Sequence, residues 1–347
     1  MVRRRKNESF QNLKDRIKLR IDSWSNKYLS KGGKEVFIKA ILQAIPTYTM
    51  ACFQLPKTLC DEMEGIIVKF WWQQGRGKNG IHWCTWKNFY RLKENRGLGF
   101  QNLSHFNIAL LAKQGWRLIC YLNSLLAKVL KEKYYPQSNF LEARLGKLPF
   151  LTWKSIWAAN GLLQDELCWR VGNGRDIFIW NDCWIPGIDT INRQDRTDNE
   201  ELELVSDLID CLSRKWKTEL ICSTFNEEVA HKILQIPISG TSHADFQVWK
   251  GEQSGEFSVR SAYKLLQNSL LDPRSYLIQA KSKKFYSKLW SSQLLTKVAI
   301  TIWRIFWNYM PTFVNLRCKR VLTNVRCLSC SSGDEDCSHI FNTILQI

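Results

Sequence analysis

Several kinds of signal are missing from this chain, and each absence narrows what it can be. No uninterrupted apolar run approaches the roughly 20 residues needed to cross a bilayer, so a membrane-spanning protein is not expected. Residues Met1 to Arg20 are basic and lack an apolar stretch of the secretory kind, so no export signal is read there. Acidic residues are scarce, 32 Asp+Glu against 50 Lys+Arg, and no Asp-Asp dipeptide occurs anywhere. Histidine is rarer still, with 5 in all. His82, His105, His231 and His243 stand apart, with no Ser or Cys partner in motif context, and read as structural. There is no hydrolase triad, no His-Glu-x-x-His metalloprotease motif and no exact internal repeat. Gly172-Asn173-Gly174 looks like a fragment of a dinucleotide fingerprint, but no helix follows it.

What is present is cationic and aromatic. The 347 residues carry a formal net charge of +18 and 16 Trp, with a pI near 9.4. Hydrophobic content of 45% supplies cores for two or three domains. The basic excess is concentrated at the start, in Arg3, Arg4, Arg5, Lys6, Lys14, Arg16, Lys18 and Arg20. A polyanion is the natural partner of such a surface, which points to RNA or DNA rather than to a small-molecule substrate or a membrane. The 12 Cys are scattered, mostly within apolar stretches, and fit reduced thiols in an intracellular protein, nuclear or cytoplasmic. Arg3 to Lys6 reads either as a nuclear import signal or as a solvated terminal run.

Periodicity predicts a mainly α-helical chain with small β-hairpins, an α+β fold. Phe10, Leu13, Ile17, Ile21, Trp24 and Tyr28 recur at helical spacing, with Lys14, Lys18 and Arg20 on the other face. Lys31-Gly32-Gly33-Lys34 is expected to break that helix. Further helices are expected through Val36 to Ala44, from Lys57 to Trp72, from Ser104 to Tyr121, and from Ser124, as N-cap, to Tyr134. Between them, Gln73 to Gly80 is a basic Gly-rich loop holding Arg76 and Lys78, and Ile81 to Trp86 looks extended. Trp71-Trp72, beside that loop, is a candidate for stacking on bases, whereas Trp116, Trp290 and Trp303 sit at core-facing positions.

The middle changes character. Trp169 to Trp180 reads as a hairpin turning at Gly172-Asn173-Gly174-Arg175, and Asp245 to Val259 as a second one turning at Gln253-Ser254-Gly255. Asp189 to Glu203 is a polar acidic loop or linker, followed by short helices at Val205 to Cys211 and Glu227 to Leu234. Ser258 or Ser261 opens another helix, Lys281 to Lys284 marks a basic joint, and a last long helix runs from Val298 to Tyr309. The expected divisions are a helical region at 1–149, a hairpin-bearing middle at 150–244 and a C-terminal module at 245–347.

The sharpest chemical signal is Cys327-x-x-Cys330 followed by Cys337 and His339. Two soft thiolates and an imidazole at this spacing can surround one tetrahedral Zn2+. Cys337 is a candidate fourth ligand, although a Cys-x-His pair must bend tightly to offer both side chains to one ion.

The order of motifs resembles plant LINE-type (non-LTR) retrotransposon reverse transcriptases, C-terminal to the palm. Arg20-Ile21-Asp22-Ser23-Trp24-Ser25, Leu29 to Lys34, Ile38 to Pro46, Ile81-His82-Trp83, Gly97 to Phe100 and Phe106 to Lys113 carry it in the first half. Trp169 to Gly172 and Trp184-Ile185-Pro186-Gly187 continue it. Phe257 to Tyr263, Trp290, Trp303-Arg304, Pro311-Thr312, Asn315-Leu316, Cys327-x-x-Cys330 and His339 look like that family's zinc-binding domain.

The resemblance implies a thumb-like helical bundle, then the hairpin-containing middle, then a small zinc-binding helical module. It implies sequence-nonspecific binding of RNA or DNA template–primer, with Arg3, Arg4, Arg5, Lys14, Lys18, Arg20, Arg76 and Lys78 as phosphate contacts. It also implies a Cys about five residues after the His, where this chain has Ile344, so the Zn2+ site is incomplete. The palm carboxylates that hold two metals in that family's polymerase chemistry are not among these residues, so no catalysis by the chain on its own is expected. Three readings follow: a nucleic-acid-binding part of a reverse transcriptase, a polymerase component whose palm is supplied in trans, or a non-functional pseudogene product.

Overall fold

The computed structural model describes residues 10–25, 29–73, 80–188, 202–211, 213–269, 276–331 and 333–345, and these are predominantly helical. Helix α1 (Gln11–Ser25) turns Leu13, Ile17 and Ile21 inward, as its spacing requires. Helix α2 (Lys31–Phe37) begins where a break was expected. Ser30 caps it, Oγ accepting from Gly33 N at 3.1 Å, and Gly32 and Gly33 occupy the first turn. There the backbone N–H groups lack helical partners in any case, so the capping hydroxyl offsets part of the glycine cost. A π-turn (Ile38–Leu42), α3 (Thr47–Cys52), α4 (Lys57–Trp72) and α5 (Trp86–Tyr90) follow. Of residues 81–86, read as extended, only Trp86 is helical, and Thr85 before it keeps an extended backbone.

Helix α6 (Leu103–Cys120) leads to α7 (Leu125–Tyr134), where Ser124 is the N-cap and accepts from Ala127 N at 3.3 Å. Helices α8 (Leu151–Trp157) and α9 (Asn160–Glu166) come next. They lead into β1 (Leu167–Arg170) and, further on, β2 (Ile209–Asp210), β3 (Lys215–Trp216), α10 (Thr218–Thr224), α11 (Glu227–Leu234) and β4 (Phe246–Trp249). Helix α12 (Val259–Asn268) is opened by Ser258, whose Oγ accepts from Ser261 N at 3.0 Å. Helix α13 (Tyr276–Ser291) runs straight through Lys281 to Lys284, so those lysines are helical and not a joint. Helices α14 (Thr296–Phe306), α15 (Phe313–Cys318) and α16 (Cys337–Leu345) end the chain's described order.

Two compact units emerge. One gathers Met1–Ala51, Leu55–Asn107 and Gln267–Ile347, and the other Cys52–Gln54 and Ile108–Leu266. In the first, α1 packs on α4 and α2 on α14. Its centre is aromatic. The Trp71 ring meets Phe89 at 5.6 Å and Phe100 at 5.5 Å, and Trp303 meets Phe89 at 5.9 Å. Trp71 and Trp72 are 0% and 3% exposed, which corrects the base-stacking expectation: they fill the core. Trp303 is likewise fully buried, with Nε1 donating to Arg96 O at 2.8 Å.

In the second unit, Trp153 lies flat between Tyr134 at 4.7 Å and Tyr135 at 5.5 Å, and Trp249 is fully buried, donating to Ser261 Oγ at 2.8 Å. The two tryptophan-bearing segments do not form separate strand-paired hairpins, although the second turns back where expected, Trp249 N donating to Gly255 O at 2.7 Å. Instead β1 pairs antiparallel with β4, in the register Leu167↔Trp249 to Arg170↔Phe246. The physical reason lies at Asp245. Its carboxylate accepts from Gly172 N at 2.6 Å, Gly174 N at 2.9 Å and Asp176 N at 3.0 Å, so the glycine turn is held by the distant strand and not by its own return. A small hairpin does form elsewhere, between β2 and β3. Residues Val205–Leu208 are a single 3-10 turn leading into β2, shorter than the helix expected there.

Candidate metal centre and basic surface

Three of the four sequence candidates for zinc are brought together by a short folded-back segment. Glu335 N donates to Val325 O at 2.8 Å and Cys327 N to Gly333 O at 2.9 Å, so the chain returns on itself around the Cys-x-x-Cys pair. Ser331 N closes the loop onto Cys327 O at 2.9 Å, with Ser331 at a φ of 55°. Helix α16 then begins, its first turn fixed by Asp336, whose Oδ1 accepts from His339 N at 2.7 Å. This aims His339 back at the loop. Its Nε2 lies 3.0 Å from Cys330 Sγ.

The donor atoms of Cys327, Cys330 and His339 all lie within 4.8 Å of one another. Bond lengths of about 2.3 Å to sulfur and 2.0–2.1 Å to nitrogen place tetrahedral ligands about 3.5–3.8 Å apart, so these residues fit Zn2+ with little movement. A bound zinc would tie loop to helix, as a structural crosslink. Cys337 stands outside the cluster. Its thiol donates to Asn308 Oδ1 at 3.3 Å, and burial, with Asp336 adding to it, pushes that thiol up from its ordinary value. Two helical positions apart means about 200° around the axis, so a helix that turns His339 toward the loop turns Cys337 away. The described residues therefore form a partial Cys-Cys-His site for Zn2+, lacking a fourth protein ligand.

The basic candidates divide. Lys18 and Arg20 are exposed on the outer face of α1, as Arg16 is. Lys14 is engaged, pairing with Glu62 of α4. Arg3, Arg4, Arg5, Arg76 and Lys78 lie outside the described residues. Sequence reasoning missed Asn308 as the partner of Cys337, and it missed a cluster formed by Lys31, Lys34 and Arg304. The Lys-Gly-Gly-Lys spacing was its only trace.

Residues 257–344 match a family described as zinc-binding in reverse transcriptase. Over 143 residues the chain is 38% identical to an uncharacterized mitochondrial protein of Arabidopsis thaliana, AtMg00310, covering 93% of that protein and 41% of this chain. The chain belongs to the family of that mitochondrial protein. Over 343 residues it is 26% identical to a second Arabidopsis thaliana protein, At1g65750, named as a candidate ribonuclease H; the match takes in 96% of this chain. The chain spans about half, 54%, of that relative's length. The matched region thus contains the segment in which the three ligands converge. No described helix is long and apolar enough to cross a membrane.

Proposed function

We propose that this chain is the C-terminal part of a plant non-LTR, LINE-type reverse transcriptase and that it holds RNA or DNA without sequence preference. Zinc orders the Cys327–His339 segment, and the exposed cations of α1, Lys18 and Arg20, contact phosphates. Arg3, Arg4, Arg5, Arg76 and Lys78 extend that contact, and Lys14 contributes less because Glu62 neutralises it. The carrying observation is the convergence of Cys327, Cys330 and His339 inside a reverse-transcriptase-type zinc-binding region. The three sequence modules, 1–149, 150–244 and 245–347, are proposed as the thumb-like, middle and zinc-binding parts. Polymerisation is assigned to a palm outside these residues. A second reading, a polymerase component completed by a palm in trans, is favoured by the match to a relative of which this chain spans only 54%.

Fluorescence anisotropy with a labelled RNA–DNA duplex tests the binding. Affinity is expected to fall steeply between about 50 and 200 mM salt, because each neutralised phosphate releases counterions. Lys18→Glu with Arg20→Glu should lower both the affinity and the salt slope. Salt-independent affinity, or strong preference for one sequence, would defeat the reading. Primer extension with and without a full-length element enzyme separates the two versions.

A further inference from the structure

Within the first unit, three cations collect that no carboxylate among the described residues pairs with. Lys31 and Lys34 project from α2, and Arg304 lies on α14, which packs against α2. The Lys31 ammonium donates to Trp71 O at 2.5 Å and lies 5.2 Å from the ring centroids of both Trp71 and Trp72. Lys34 donates to Phe70 O at 2.8 Å and Gln73 O at 2.7 Å, and Arg304 Nη2 to Tyr309 O at 3.0 Å. Among the described residues none of the three is ion-paired with a carboxylate.

The carbonyls at the end of α4 account for part of this arrangement, since cations favour a helix C-terminus. They do not account for the donors left over. An ammonium has three N–H bonds, so Lys31 keeps two and Lys34 one. Arg304 Nε is buried without a hydrogen-bond partner among the described residues. All of these groups donate and none accepts. Buried donors left unpaired are costly, so the cluster suits an acceptor that the described residues do not supply. Lys31 and Arg304 are only half-buried, so a solute can reach them.

We propose that Lys31, Lys34 and Arg304 form a binding site for a phosphate group. A phosphate offers several acceptor oxygens to a multi-donor cationic cluster, which a chloride does not. Desolvation now holds Lys31 down to about 7 and Lys34 to about 8. An arriving anion restores their charge. The source of the phosphate is a polynucleotide backbone or a free phosphate compound, and the chemistry of recognition is the same for both. The inference goes beyond the nucleic-acid reading, because this site is separate from the outer face of α1.

Thermal melts of the full chain test it, with inorganic phosphate against sodium chloride at matched ionic strength. Phosphate at tenfold excess over its Kd should raise Tm by about 3–6 °C above chloride. Lys31→Gln should abolish the difference, Lys31→Arg should keep most of it, and Lys128→Gln, at an exposed position of α7, should leave it unchanged. Should Lys31→Gln fail to fold, a saturable phosphorus-31 line shift with the unaltered chain gives the same decision. A phosphate response equal to that of chloride, no saturable line shift, or a response surviving in folded Lys31→Gln overturns the site. Competition of phosphate by oligodeoxythymidylate assigns the site to a polynucleotide, and its absence to a free phosphate compound. An oligonucleotide that fails to bind while phosphate still raises Tm defeats the nucleic-acid reading and leaves this site standing.

Discussion

Cys330 Sγ lies 3.0 Å from His339 Nε2, although nine residues separate them in the chain. A thiol and an imidazole in contact share a proton that a metal ion can displace, and Cys327 brings a second thiol within 4.8 Å of both. The purified chain should hold about one zinc per molecule. Cys327→Ser and His339→Ala should lose it, whereas Cys337→Ser should keep it, because that thiol faces Asn308. Atomic absorption on the three variants checks this. Zinc lost from Cys337→Ser would sink the three-ligand assignment.

Asp245 is expected to be the most sensitive single residue of the second unit. Its carboxylate serves three backbone N–H groups, and its removal leaves those of Gly172 and Gly174 buried without that acceptor. Asp245→Ala should lower stability by about 2–4 kcal/mol, with a smaller loss for Asp245→Asn. Urea denaturation followed by tryptophan fluorescence measures both. Gly172→Ala should act in the same direction, since a Cβ there would stand 2.5 Å from His243 O.

Glu64 makes the first unit less stable as pH rises from acid to neutral. Burial raises its carboxyl from 4.5 to about 7, against the opposing hydrogen bond from Leu103 N. The folded chain therefore holds more protons than the unfolded one between these values, and the stability present below pH 4.5 is lost as pH approaches 7. Glu64→Gln retains an acceptor for Leu103 N and should raise Tm at pH 8 while changing it little at pH 4.5. Equal effects at the two pH values would contradict the assignment.

Lys31 works in the opposite direction and in a higher window. Burial lowers it from 10.5 to about 7, so the unfolded chain holds the extra proton between pH 7 and 10.5. Stability should rise with pH across that interval. Lys31→Met should flatten the rise, as read from Tm at pH 7 and pH 9.5 in chloride buffers.

The helices were legible where the chain carries its own signal. The Lys57–Trp72 pattern has apolar residues at helical spacing, and Ser124 and Ser258 are hydroxyl caps, so local chemistry sufficed. Lys31 to Lys34 misled because glycine is read as punctuation, whereas here packing against α14 and the Ser30 cap outweigh its propensity. Trp71-Trp72 misled for a related reason: adjacency to a basic loop says nothing about which way an indole points.

The amino-acid order settled the helical character, the basic outer face of α1 and the zinc-ligand types of the C-terminal segment. These follow from spacing and side-chain chemistry within a few turns. Tertiary structure alone decided that β1 pairs with β4 instead of folding on itself, that Cys337 turns to Asn308, and that the helix of Arg304 packs against that of Lys31 and Lys34. Each of those depends on groups far apart in sequence, whose partners are selected by competition for burial and hydrogen bonds once the chain has collapsed. No local pattern encodes the outcome of that competition.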